Sequence, residues 1–172
     1  RPPMWTFEQY PPRLLNLTTF PPAPAIPANA PRIAMVTPSY NHAQYLGATI
    51  ESIVTQNYPN LYYHVQDGAS IDGTIDLLKD RGDGFSWKSE PDTGQSNAIN
   101  LGFAGTDSEI MAYLNSDDML LPGTLAYVAN YFTSHPDVDI VYGNRVFVDR
   151  EGLEVGRAVL PHHDGKALQY AD

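Results

Sequence analysis

From Arg32 onward, short apolar runs alternate with stretches of helical periodicity, and the connections between them are only a few residues long. That alternation points to a parallel, doubly wound sheet, because parallel neighbours need a crossover and a helix usually supplies it. Residues 33–37, 62–66, 85–89 and 110–114 read as strands. Residues 42–56 read as a helix, with Tyr45, Leu46, Ile50, Ile53 and Val54 near helical spacing. Residues 72–79, 95–104 and 122–134 read as further helices, with Ile75 and Leu78 inward in the first and Leu125, Val128, Ala129 and Phe132 inward in the last. Pro122 sits where a first helical residue would be. Residues 139–142 and 145–149 flank Gly143-Asn144, a pairing that predicts a hairpin, and residues 155–160 read as one more strand. The expected fold is α/β: a mainly parallel sheet flanked by helices, with a short antiparallel hairpin near the C-terminus.

Residues 1–31 are different, holding nine of the fifteen prolines. Proline fixes φ and lacks a backbone donor, so this stretch is expected to be an extended arm, neither regular helix nor central strand. Trp5, Phe7, Tyr10, Leu14, Leu15, Leu17 and Phe20 make it too apolar for a solvated linker; it should lie on the domain or on a partner. The expected division is therefore an arm, 1–31, and one domain, 32–172. The start, Arg1-Pro2-Pro3, has neither an initiator Met nor a signal-peptide core, which suggests a processed or excised piece.

Charge excludes some partners. Ten basic and twenty acidic residues give a formal net charge of −10. Nucleic acid binding rests on neutralising phosphates, so such a surface repels it, and it suits anionic membranes no better. No run of 18 apolar residues offers a transmembrane helix. The chain has no cysteine, which removes disulfides and thiolate metal sites and is compatible with a cytoplasm.

Polar turns follow the predicted strands. They are Thr37-Pro38-Ser39-Tyr40-Asn41, Asp67-Gly68-Ala69-Ser70-Ile71-Asp72-Gly73-Thr74 and Asn115-Ser116-Asp117-Asp118. In a parallel sheet they emerge at one edge, where open α/β sheets bind ligands. Taken singly, Ser70 or Asp72 is a helix cap, Gly68 and Gly73 serve tight turns, and Tyr40 is packing. Taken together they supply an aromatic ring for a base and carboxylates for base and ribose donors. Asp117 and Asp118 side by side repel each other, and a divalent cation relieves that cost. A fourth element runs from Ser89 to Asn100 and opens a helix, with Asp92, Gln95, Ser96, Asn97 and Asn100 as polar groups.

Other chemistries lack their signatures. No Gly-Xaa-Gly-Xaa-Xaa-Gly turn or Walker-type loop is present. The five histidines form no metal set; His162-His163-Asp164 reads as an exposed pair. A nucleotidyltransferase would carry a Gly-rich basic loop after the first strand, where this chain has Thr-Pro-Ser-Tyr-Asn.

These motifs together resemble the family 2 glycosyltransferases of the GT-A fold. The resemblance rests on residues 36–41, 66–74, 89–96 with Asn100, and 113–118, joined by Pro122-Gly123 and Val141-Tyr142-Gly143. It covers about residues 32–164. It implies a GT-A nucleotide-sugar-binding domain and transfer of a sugar from a nucleotide-diphosphate donor to a sugar or glycan acceptor, with inversion, in polysaccharide biosynthesis. Pro38 and Tyr40 would lie at the base, Asp67 would bind the base or adjoining nucleotide, and Asn97 and Asn115 would belong to the same site. Asp117 would touch the ribose or donor sugar, and Asp118 would hold Mn²⁺ or Mg²⁺. Asn115 stands where the family's Asp-Xaa-Asp type of motif has its first carboxylate. The base that takes the acceptor's proton is expected beyond Asp172, with the acceptor-binding half. The expected location is cytoplasmic, with attachment to the inner face of a membrane left open. The competing reading is a non-catalytic nucleotide-sugar-binding module or an inactive fragment of such an enzyme.

Overall fold

The structure, a computed structural model, describes residues 6–160. In chain order the elements are β1 (Thr6–Arg13), a 3-10 turn (Leu17–Thr19), β2 (Ile33–Ser39), α1 (Ala43–Val54), β3 (Leu61–Asp67), α2 (Thr74–Asp80), β4 (Ser86–Ser89), α3 (Gln95–Phe103), β5 (Ile110–Tyr113), α4 (Thr124–Ser134), β6 (Arg145–Val148) and β7 (Glu154–Val159). They fall into two units: Ala23–Pro136, and a second one whose described parts are residues 6–22 and 137–160.

The larger unit is the expected parallel sheet, ordered β4-β3-β2-β5. Every residue of β2 is buried, as befits a central strand covered on both faces. On one face Ile33 and Met35 meet Leu46, Ile50 and Ile53 of α1, Leu78 of α2, and Leu125 and Ala129 of α4. On the other face lies α3. A Cβ at Gly102 would stand 2.5 Å from Val36 Cγ1, so this glycine lets α3 settle directly onto β2. Pro122 does not open α4: Gly123 takes a left-handed φ of +81° and the helix begins after it. The chain runs outward from β2 through β3 to β4, then returns to the other side of β2 for β5. The carboxyl ends of β2 and β5 therefore flank the topological switch point, where such sheets bind ligands.

The smaller unit is an antiparallel sheet ordered β1-β7-β6. Part of the extended arm is an edge strand here, residues 6–13 pairing with β7. Proline is tolerated there because β1 is an edge strand, and Pro11 and Pro12 fall in the register break between Gln9 and Arg13. The predicted hairpin is also displaced. Residues 139–142 form no strand, and Ile140 is 78% exposed. The hairpin joins β6 to β7 instead, through a turn that Asp149 organises. Asp149 Oδ1 accepts from the amides of Glu151 (3.1 Å) and Leu153 (2.8 Å), and Gly152 supplies a φ of +79°.

Glu154 anchors this sheet although it is only 1% exposed. Its Oε1 accepts from Tyr10 Oη, from Arg13 Nη2 at 3.0 Å and from Arg157 Nε at 2.5 Å, and its Oε2 accepts from Arg157 Nη2 at 3.1 Å. Hydrogen bonds from Arg157, then from Tyr10, hold its carboxyl down at about 2. Phe7 and Phe147 meet edge to face with ring centres 5.3 Å apart. His162, His163 and Asp164 lie outside the described residues.

Candidate functional site

The turns after β2 and β3 are stapled together. Asn41, at a φ of +53°, donates its amide to Ser70 Oγ (2.7 Å) and accepts from Ile71 N (2.9 Å) through Oδ1. Asp72 caps both following helices: Oδ2 accepts from Ala43 N at 2.9 Å, and Oδ1 from Thr74 N at 3.1 Å and Thr74 Oγ1 at 2.6 Å. The Thr74 hydroxyl is the chief reason its carboxyl is held below the ordinary range. Tyr40, just beyond β2, is left 63% exposed.

Asp67 stands behind this surface. It is 0% exposed. Its Oδ1 accepts from Ser70 Oγ at 2.5 Å, and its Oδ2 from Ser70 N at 2.9 Å and Ser89 Oγ at 2.6 Å. The carboxylate thus fixes the turn after β3 and ties it to the end of β4. The next residue, Gly68, is not there for backbone freedom, since the left-handed φ in this turn belongs to Ala69 (+64°). It is there for space. A Cβ at Gly68 would lie 2.8 Å from Asp92 Oδ2 and 3.3 Å from Tyr40 Cδ2.

The remaining walls come from the loop before α3 and the turn after β5. Asp92 Oδ1 accepts from Gly94 N at 2.7 Å, and Asn97 Oδ1 accepts from Thr93 N at 3.2 Å. Gln95 Nε2 donates to Asn115 Oδ1 at 2.6 Å, bridging the two segments. His42 Nδ1 and Ser116 Oγ are 2.7 Å apart, joining the turn after β2 to the turn after β5.

Between these segments opens a cleft of about 640 Å³. The end of β2 contributes Pro38, the turn after it Tyr40 and His42, and the turn after β3 Gly68. Asp92 comes from the loop before α3, Gln95 from the first position of α3, and Asn115 and Asp117 from the turn after β5. Of the expected site residues, Pro38, Tyr40, Asn115 and Asp117 therefore share one wall-to-wall cavity. Asp67 and Asn97 lie outside its lining and hold its loops. Asp118 is exposed beside Asp117, also outside the lining. His42, Gly68, Asp92 and Gln95 join the cleft without having been assigned to it from sequence. Asp92 and Gln95 sit in the polar stretch already singled out; His42 carries no signal beyond following Asn41.

Asp92 and Asp117 make the lining acidic, and it contains neither Lys nor Arg. A diphosphate bound there would draw its counter-charge from a cation or from backbone amides. Among the described residues no cluster of three or more His, Asp or Glu side chains could hold a metal alone. Asp117 and Asp118 instead supply one or two carboxylates, the donor set that suits Mg²⁺ or Mn²⁺ when phosphates complete the coordination shell. The residues fit an ion that arrives with its ligand.

Comparison with known proteins agrees with this architecture. The family model described as glycosyl transferase family 2 matches residues 35–170. An uncharacterized glycosyltransferase of Nostoc sp. is 28% identical over 133 residues, covering 72% of this chain and 41% of that relative. One from Mycobacterium tuberculosis is 34% identical over 92 residues, covering 52% of this chain and 35% of the relative. The chain thus spans less than half the length of these curated relatives. Among solved structures, the mannosyltransferase PcManGT from Pyrobaculum calidifontis, in complex with GDP-Man and Mn²⁺, superposes with a TM-score of 0.57 at 20% identity, covering 84% of this chain and 49% of that one. S. aureus TarS 1-349 in complex with UDP-GlcNAc gives 0.56 at 20% identity, covering 61% and 32%. These structures share the GT-A fold with the parallel sheet described above, and the extent of the family match places the chain in glycosyl transferase family 2.

Proposed function

We propose that the cleft binds a nucleotide-diphosphate sugar and that the protein of which this chain is part transfers the sugar to a hydroxyl of a sugar or glycan acceptor, with inversion. One observation carries this reading: Tyr40, Asp92, Asn115 and Asp117 line a single cleft at the switch point of a family 2 glycosyltransferase sheet. The exposed Tyr40 ring offers a face for the base. Asp117 would accept from ribose or sugar hydroxyls. Asp118, with Asp117, would hold Mn²⁺ or Mg²⁺, which supplies charge stabilisation for the departing diphosphate. Asn115 is oriented by Gln95, and Asp67 and Asn97 keep the flanking loops in place. The proton of the acceptor hydroxyl passes to a carboxylate base that we assign to none of the described residues. A site in polysaccharide assembly, in the cytoplasm or at the inner face of a membrane, suits the family; no helix among the described residues is long and apolar enough to cross a membrane.

Substitution of Asp118 tests the reading. Asp118→Ala should abolish the metal-dependent part of nucleoside diphosphate binding, followed by calorimetry, while leaving the circular dichroism spectrum intact. Unchanged metal dependence would remove Asp118 from the site.

A further inference from the structure

The turn that carries Asp117 and Asp118 is held at both ends by α1. At its start, His42, the N-cap residue of α1, meets Ser116 Oγ at 2.7 Å. At its far end the grip comes from the last turn of the same helix. Ser52 Oγ donates to Thr49 O at 2.8 Å and accepts from the amide of Leu120 at 3.1 Å. Gln56, just past the helix, donates through Nε2 to Ser52 O at 2.9 Å and to Leu121 O at 3.1 Å. Its Oε1 accepts from Leu125 N at 3.4 Å, capping an α4 whose own N-cap, Gly123, has no side chain to offer. Asp117, Asp118 and Met119 are exposed between these two anchors. Resting on the nucleotide-sugar reading above, we propose that Ser52 and Gln56 are positioning residues for the metal: they set where Asp117 and Asp118 stand without touching metal or nucleotide.

Neither residue lines the cleft. Both act on the backbone of Leu120 and Leu121, so they fix the path of the chain and not one side chain. The amide of Gln56 has a single workable orientation. Its N–H groups face two carbonyls and its oxygen faces an amide; turned over, it would set an oxygen against both carbonyls. The carboxylates it positions serve an ion with little tolerance, since Mg²⁺ demands near-ideal octahedral geometry. A small drift of the turn therefore weakens metal bridging while the domain stays folded. The other end of the cleft is independent of this clamp. The turns after β2 and β3 are held by Asp67 and Asp72.

The test sets diphosphate binding against nucleoside binding. The chain is titrated with UDP and GDP in Mn²⁺ by calorimetry, and with uridine and guanosine by NMR shift changes, at a temperature where each variant keeps the wild-type circular dichroism spectrum. Ser52→Ala and Gln56→Met should each lower affinity for the Mn²⁺ diphosphate roughly 2- to 10-fold, the worth of a lost hydrogen bond, and leave nucleoside affinity unchanged. Ser52→Thr should restore wild-type binding, because it keeps the hydroxyl and its methyl enters a cavity of about 440 Å³ that Ser52 lines. Gln56→Glu separates positioning from capping. Its oxygen can still accept from Leu125 N, but it has no N–H for Leu121 O, so it should bind as weakly as Gln56→Met. Wild-type diphosphate binding by Gln56→Glu would reduce the residue to a helix cap and overturn the assignment. A fall in thermal midpoint with diphosphate affinity intact, or equal losses for nucleoside and diphosphate, would overturn it too, and each leaves the nucleotide reading standing. A wild-type chain that binds no nucleotide would overturn that reading, and this assignment with it.

Discussion

His42 Nδ1 and Ser116 Oγ, 2.7 Å apart, form a hydrogen bond between segments separated by 74 positions in the chain. Ser116 is buried and directly precedes Asp117 and Asp118, so this bond sets where the two carboxylates stand relative to the end of β2. Removing either partner should loosen the carboxylate turn without touching the base pocket. His42→Ala and Ser116→Ala should each weaken metal-dependent nucleoside diphosphate binding by about 0.5–1.5 kcal/mol, the usual net worth of one hydrogen bond. The double variant should cost little more than either single one, because both remove the same interaction. Affinity for the free nucleoside should be unchanged; equal losses for nucleoside and diphosphate would assign the pair to base binding instead.

Tyr40 contributes its face regardless of the sugar attached. Tyr40→Ala should weaken all accepted nucleotides in parallel, by about 1–3 kcal/mol if base–aromatic stacking is a fair guide. Fluorescence or calorimetric titration with a nucleoside diphosphate and two of its sugar conjugates checks this. A loss confined to one conjugate would place the ring at the sugar.

Gly68 keeps the slot between Tyr40 and Asp92 open. Gly68→Ala should lower nucleotide affinity at least severalfold while leaving the thermal midpoint within a few degrees, since its Cβ would meet the movable ends of side chains on the cleft wall. Gly102→Val should behave the opposite way. Its side chain would meet Val36 in the interior, and overpacking of a filled core typically costs about 1–3 kcal/mol. Denaturant unfolding should show that loss directly.

Glu154 makes the antiparallel sheet sensitive to acid. Its carboxyl is held at about 2 in the folded chain against an ordinary value of 4.5. The folded state therefore binds the proton more weakly than the unfolded state, and stability rises with pH across that interval. The contribution is complete above about 4.5 and is lost as pH falls toward about 2. Hydrogen exchange at several acidic pH values should show β1 and β7 losing protection across this window. Glu154→Gln should remove that dependence and lower protection at neutral pH, because Arg13 and Arg157 would lose the charge they face.

The parallel sheet was legible because β2 to β5 and their helices obey simple periodicity, and the carboxyl-end turns are marked by Pro38, Tyr40, Asn115 and Asp117. The strand at Thr6–Arg13 was hidden by Pro11 and Pro12, which are damaging only where a ladder continues, and here it is interrupted. Gly143-Asn144 resembled a hairpin turn, but the turn that forms is held by the Asp149 side chain, a contact whose strength depends on geometry and not on composition. At the site, residue types identified the loops and could not tell which carboxylate faces inward. Asp67 and Asp92 look equivalent as letters; Ser70 and Ser89 bury the first, and the missing side chain at Gly68 exposes the second to the cleft.

The most direct measurement is a calorimetric titration of this chain with UDP, dTDP and GDP, first with Mn²⁺ and then with EDTA. Binding of one of these nucleotides that disappears when the metal is chelated is the predicted result. A folded chain that binds none of them, or binds them equally well in EDTA, would contradict a metal-assisted nucleotide-sugar site at the ends of β2 and β5.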